Sequence, residues 1–157
     1  MAEALVIYYS RTGNTKKMAQ AIGQGLQKED ISVAVKDVSD VKVDELLKAD
    51  AIIIGSPTYY GTMAAEIKKL LDESVKFHGK LDGKIGAAFA SSANIGGGNE
   101  TTILDILCAM LIHGMIIQGD PQGDHYGPVA IGVPDERTLN ECLRLSERIA
   151  RLIKKAA

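Results

Sequence analysis

Five short apolar runs, Ala4–Tyr9, Ile31–Val38, Ala51–Gly55, Ile85–Ala90 and Met115–Gln118, alternate along the chain with helix-like patterns. The clearest of those patterns are Thr15–Gln27, Met63–Val75, Asn99–His113 and Asp135–Lys155, with a short one at Val43–Lys48. Runs this continuous leave no face for solvent, which is how parallel strands covered on both sides read. Right-handed crossovers in a βαβαβαβαβα order put helices on both faces of one sheet. The sequence therefore predicts an α/β fold, a three-layer, doubly wound, five-stranded parallel sheet.

Helix-end signals support that parse. Asn99 is expected to cap its helix with Glu100 in the first turn, Gly114 to stop it after His113, and Asp135 after Pro134 to start the last helix. Gly119–Pro134 is rich in Gly and Pro and reads as a surface loop, with a short edge strand at Val129-Ala130-Ile131.

A chain of 157 residues suits one domain spanning 1–157 and burying roughly 70% of its unfolded surface. The net charge of -2 comes with scattered Lys and Arg, so no nucleic-acid partner is expected. No apolar stretch approaches the ~18 residues of a membrane span, which predicts no membrane insertion and a cytoplasmic protein. Cys108 and Cys142 lie within helix-like apolar patterns and are expected to be buried free thiols.

Three of the turns that leave strands carry the polar and small residues from which binding sites are made. The first, Ser10-Arg11-Thr12-Gly13-Asn14-Thr15, joins a strand to a helix N-terminus. Unpaired N–H groups, the positive helix end and the hydroxyls of Ser10, Thr12 and Thr15 suit a phosphate dianion. No Gly-Lys-Ser/Thr and no Gly-x-Gly-x-x-Gly occurs there, so two common phosphate signatures are excluded. Arg11, Lys16 and Lys17 read as solvated side chains, and a simple capped loop is the plain alternative.

The second loop, Ser56-Pro57-Thr58-Tyr59-Tyr60-Gly61-Thr62-Met63, places adjacent tyrosines in a chain without tryptophan. They could stack on a flat ring whose edge the Gly61 backbone approaches; the alternative is one tyrosine packed and one exposed. The third loop, Ser91-Ser92-Ala93-Asn94-Ile95-Gly96-Gly97-Gly98-Asn99, offers bare N–H groups to a carbonyl edge, or to a second phosphate such as that of NADPH. In a sheet ordered 2-1-3-4-5, the order adopted here by fold analogy, strands one, three and four are neighbours and the three loops converge at the ligand-binding end. His125 and Tyr126, in the long loop, could reach a bound ring or substrate. His113 reads as a helix-end cation, and Asp120, Asp124 and His125 have no recognised metal-ligand spacing, so no metal is expected.

These residues resemble those of flavodoxin-like FMN proteins, in which Ser10-x-Thr12-Gly13-Asn14-Thr15 is the usual phosphate loop. Pro57-Thr58-x-Tyr60-Gly61-x-Met63 and Gly96-Gly97-Gly98-x-Glu100, followed by His113-Gly114-Met115, are similar to the flavodoxin-like NAD(P)H:quinone oxidoreductases, FMN enzymes that are typically tetramers. The resemblance implies non-covalent FMN, with phosphate contacts from Ser10 to Thr15 and ring contacts from Thr58 to Thr62 and from Ser92 to Gly97. Every member of Ser10–Thr15, Pro57–Thr62 and Ser91–Gly97 is a candidate cofactor-binding residue. It implies an electron carrier working between redox partners such as ferredoxin or a reductase, with no side chain acting as acid or base. The alternatives are an NAD(P)H:quinone oxidoreductase passing hydride through FMN to a quinone, with His125 and Tyr126 beside the ring, and a redox-silent binding module. A homo-oligomer stays open.

Overall fold

The computed structural model describes residues 3–156; Met1, Ala2 and Ala157, which belong to the expected domain, lie outside it. Within that range the chain runs β1 (Glu3–Tyr8), α1 (Asn14–Lys28), β2 (Ser32–Asp37), β3 (Ala51–Pro57), α2 (Ala65–Glu73), β4 (Ile85–Ser92), α3 (Asn99–Ile112), β5 (Ile116–Ile117), β6 (Val129–Ile131) and α4 (Glu136–Ala156). Short 3-10 turns cover Val38–Asp40, Val43–Leu47 and Ser74–Phe77. Every strand pairing is parallel, in the order β2-β1-β3-β4-β5, and the register lines Val35, Val6, Ile53 and Ala87 across four strands.

The fifth strand position is divided. Ile116 and Ile117 pair with Ile85 and Gly86 at the start of β4, whereas Val129–Ile131 pair with Ala90–Ser92 at its end. The expected Met115–Gln118 strand is thus shorter, and the Val-Ala-Ile fragment continues its position in the sheet after residues 118–128 have left and returned. That excursion is fastened to α4. The Asp120 carboxylate receives Arg144 Nε at 2.5 Å and Nη2 at 2.8 Å, with Arg148 Nε at 3.7 Å, and Arg137 Nη1 reaches Asp124 at 2.9 Å. The Arg144 hydrogen bonds hold Asp120 well below the usual carboxylate range.

Successive strand residues face opposite sides of the sheet, so each face has its own core. Val6, Ile53 and Phe89 join Met18 and Ile22 of α1 and Ile149 and Ile153 of α4 on one side. Leu5, Ile7, Ile52 and Ile54 join Ile67 of α2 and Ile103, Ile106 and Met110 of α3 on the other. Each such side chain contributes about 1.5–3 kcal/mol on leaving water, which is the main reason the layers hold. A Cβ on Gly55 would lie 2.0 Å from Cε2 of Phe89, so the aromatic ring lies directly on the bare backbone of β3.

Four local expectations are corrected. β2 is an edge strand and only partly covered, with Val35 exposed, since it has one neighbour instead of two. The cap of α3 is Gly98 at φ 101°, and Asn99 is the first helical residue, its side chain accepting from the Glu100 N–H. Cys108 is exposed, whereas Cys142 is buried. His113 is no helix-end cation: it is buried, and because Ser74 Oγ lies 2.6 Å from the Leu71 carbonyl to which it donates, His113 Nε2 must donate to Ser74 Oγ at 2.8 Å. The ring is then neutral with Nδ1 unpartnered, and burial, helped by nearby His78, lowers its pKa.

Candidate functional site

The three polar loops leave the C-terminal ends of β1, β3 and β4, which are adjacent strands, and so share one rim of the sheet. Loop one turns into α1 through Gly13 at φ 93°, a conformation that L side chains resist, and Ser10 Oγ accepts the Gly13 N–H at 3.1 Å. The first intrahelical bond is Lys17 N–H to the Gly13 carbonyl. The N–H groups of Asn14, Thr15 and Lys16 therefore have no acceptor within the helix, and none from a side-chain cap. A Cβ at Gly13 would meet nothing within 4 Å, so the space over this turn is open. The Thr12 side chain is exposed beside it.

Thr15 also makes a contact of its own within the protein. It is buried, and its hydroxyl lies 2.9 Å from that of Ser91, tying loop one to the end of β4. Arg11 is not simply solvated: its guanidinium stands 5.9 Å from the centre of the Tyr59 ring. Lys17 Nζ donates to the Pro134 carbonyl at 3.3 Å.

Loop two is a two-residue hairpin in which Tyr59 and Thr62 exchange both backbone hydrogen bonds. Tyr60 at φ 51° and Gly61 at φ 79° occupy its tip, both left-handed as a hairpin turn of this twist demands. The tyrosines separate: Tyr59 packs edge-on against Tyr9 at 6.4 Å, while Tyr60 is fully exposed at 108% of its reference area. Pro57 ends β3, and the next N–H, of Thr58, bonds to the Ser91 carbonyl at 2.7 Å.

Loop three folds over itself. The Gly97 N–H reaches the Asn94 carbonyl, Ser92 Oγ donates to that same carbonyl at 3.0 Å, and Asn99 Nδ2 donates to Ser92 Oγ at 3.2 Å. Ala93 and Gly96 are exposed, and Ile95 stands out at 88%. Loops two and three meet backbone to backbone, for a Cβ on Gly98 would come 2.5 Å from the Gly61 Cα.

Three residues that sequence reasoning missed hold this meeting together. Thr101 Oγ1 lies 2.5 Å from the Gly61 carbonyl, Thr102 Oγ1 3.0 Å from Thr58 Oγ1, and Asp105 Oδ2 2.5 Å from Thr62 Oγ1. The only available signal was a Thr-Thr-x-x-Asp cluster at the start of an otherwise apolar helix.

His125 and Tyr126 line a cleft of about 530 Å³ with Ile95, Gly96 and Gly98 of loop three, and His125 Nδ1 is held 2.7 Å from the Asp120 carbonyl. Asp120 and Asp124 face arginines, and among the described residues no group of three or more His, Cys, Asp or Glu could hold a metal. Nor is any described helix long and apolar enough to cross a membrane.

Residues 5–97, well over half of the chain, match the family model described as a flavodoxin domain. The chain belongs to the flavodoxin family. A protein named flavodoxin from Aquifex aeolicus is 38% identical, the match covering 98% of this chain and 88% of that one. A protein named NAD(P)H dehydrogenase (quinone) from Archaeoglobus fulgidus is 36% identical and matches 99% of both chains. Among solved structures, a flavodoxin from the domain Archaea superposes with a TM-score of 0.81 at 38% identity, covering 97% of this chain and 99% of its own. Family membership implies a flavin-binding, flavodoxin-type electron-transfer protein with redox partners, and relatives named as carriers and as quinone oxidoreductases are both consistent with this chain.

Proposed function

We propose that the chain binds FMN non-covalently on the three-loop rim and works as an electron carrier. The observation that supports this most is the open N-terminus of α1, where three unpaired N–H groups and the Ser10 and Thr12 hydroxyls stand beside two loops locked to each other. That donor set fits a phosphate dianion without a lysine. Loop one, Ser10 to Thr15, would hold the phosphate. Pro57–Thr62 and Ser91–Gly97 would hold the ring, with Tyr60 free to offer an aromatic face and the backbone near Gly61 and Gly96 able to approach a polar ring edge.

When bound, the flavin supplies one- and two-electron redox chemistry, and the side chains need move no proton. The protein's part is to fix orientation, limit water, and through the fixed backbone dipoles of loops two and three set which charge state is favoured. Ferredoxin or a reductase would exchange electrons at the exposed rim. A cytoplasmic setting accords with the unpaired thiol at exposed Cys108.

A second reading, an NAD(P)H:quinone oxidoreductase, draws on the end-to-end similarity to the Archaeoglobus protein and on the cleft beside loop three, where His125 and Tyr126 could face a quinone or nicotinamide. Anaerobic titration of the FMN-loaded protein with NADH and NADPH separates the two. A carrier keeps its visible flavin absorbance until a chemical reductant or a protein partner is added. Rapid bleaching by either nucleotide, reversed by quinone, establishes the oxidoreductase instead, and a chain that neither retains nor rebinds FMN refutes both.

A further inference from the structure

Loop two has little of its own to hold its shape. Its hairpin has one pair of backbone hydrogen bonds, between Tyr59 and Thr62, and its first central residue is Tyr60 at φ 51°, where such turns favour Asn or Gly. A bulky residue stays in the left-handed region only when its surroundings over-determine it. The fully exposed Tyr60 side chain supplies none of that support.

The support comes from the start of α3. Gly98, Thr101, Thr102 and Asp105 are spaced i, i+3, i+4 and i+7, so they line up along one side of the helix. Each meets loop two. Gly98 backs onto the Gly61 Cα, Thr101 Oγ1 lies 2.5 Å from the Gly61 carbonyl, Thr102 Oγ1 donates to Thr58 Oγ1 at 3.0 Å, and Asp105 Oδ2 accepts from Thr62 Oγ1 at 2.5 Å. The single Thr101 hydroxyl proton has a second acceptor in reach, the Gly98 carbonyl at 2.9 Å, but that carbonyl already takes the Thr102 N–H. The proton therefore serves Gly61. Both residues of the second half of the hairpin are thus fixed from outside the loop.

We propose, building on the FMN reading above, that Thr101 and Asp105 are positioning residues that hold loop two in the shape that receives the flavin ring before any flavin arrives. A loop that is only fractionally in its competent shape lowers the apparent affinity by that fraction. Ordering it in advance raises affinity without any contact to the ligand. The effect falls on the ring and not on the phosphate, because the Ser10–Gly13 hydrogen bond that shapes the phosphate turn is internal to loop one. Thr62, Thr101 and Asp105 are all exposed, so their side chains act on the loop with little bearing on the core.

The test is titration of the flavin-free full chain with FMN, riboflavin and lumiflavin, the last a ring without ribityl chain or phosphate, beside T101V, T101S, D105A and T101V/D105A. T101V and D105A should each weaken all three flavins by about tenfold, and the double variant by more than either alone. The ratio of FMN to riboflavin affinity should keep its wild-type value. T101S, which retains the hydroxyl, should bind within about twofold of wild type. Amide hydrogen exchange of the flavin-free proteins reads the loop itself. The Tyr59 and Thr62 N–H groups should exchange about tenfold faster in T101V, with the Lys17 N–H, which bonds to the Gly13 carbonyl, and the thermal midpoint nearly unchanged. Wild-type affinities and exchange rates in the double variant overturn the clamp and leave the FMN reading standing. A loss confined to FMN, or one that T101S shares, overturns it too, the first because the phosphate is then what is felt and the second because the hydroxyl is not. A wild type that binds none of the three flavins overturns the FMN reading and the clamp with it.

Discussion

Thr15, in the first turn of α1, and Ser91, near the end of β4, share a buried hydroxyl–hydroxyl hydrogen bond of 2.9 Å across 76 positions of sequence. The two groups carry two protons and the bond uses one, so the other remains available to an acceptor above the helix N-terminus. Ser91→Ala leaves the Thr15 hydroxyl buried and unpaired, which costs about 1–3 kcal/mol. Urea unfolding of the flavin-free protein should show a lower midpoint with an unchanged slope, and FMN should bind more weakly to the variant. An unchanged midpoint would mean that Thr15 finds another partner.

Replacing Thr12 with Ala removes an exposed hydroxyl from loop one without disturbing any packed group. If it donates to a phosphate, the lost charge-assisted bond should weaken FMN by ~1.5–3 kcal/mol, roughly ten- to 150-fold, and leave riboflavin almost untouched. Fluorescence titration with both ligands measures the difference. Equal losses for the two would remove the phosphate assignment.

Gly98 and Gly13 both cap helices at positive φ, but only Gly98 faces another backbone. Gly13→Ala should carry only conformational strain, about 1 kcal/mol, whereas Gly98→Ala adds the collision with Gly61 and should exceed about 2 kcal/mol. Thermal unfolding of the pair reads the contrast directly. Comparable values would show that loop two moves aside at little cost.

The neutral, buried imidazole of His113 makes stability depend on pH in a defined window. Its folded pKa is lowered, first by burial and then by His78, so the unfolded chain binds the proton more readily. The His113 contribution is therefore complete above the ordinary value of about 6.5 and is lost as pH falls from there toward the lowered folded pKa. Asp120, also lowered but held by Arg144, acts in a separate and more acidic window. Denaturant midpoints of wild type and His113→Leu, followed from neutral pH into mild acid, should give a falling curve for the first and a flatter one for the second.

The strand segments, the four longer helices and the polar loops were legible because each rests on local composition: apolar runs, amphipathic periods, and clusters of Ser, Thr, Gly and Asn; the strand order, and with it the convergence of the loops, came from fold analogy. What escaped was set by contacts distant in sequence. Val129–Ile131 reads as an edge fragment, since nothing in its own residues says that it pairs with Ala90–Ser92 in line with Ile116–Ile117. The even apolarity of α3 hid which side Cys108 occupies, and a histidine before a glycine looked like a helix-end cation until Ser74 was found beside it. Thr101, Thr102 and Asp105 gained their roles only when loops two and three folded back over the start of α3.

The division of the outermost strand has a consequence for behaviour at high concentration. A long, flat sheet border invites a foreign strand to zip on, the first step of cross-β aggregation. Here the border offers two residues, then a detour pinned by arginines, then three more. An incoming chain would find no uninterrupted ladder to copy, so this edge is blunted against fibre growth without a charged or proline residue inside either short strand.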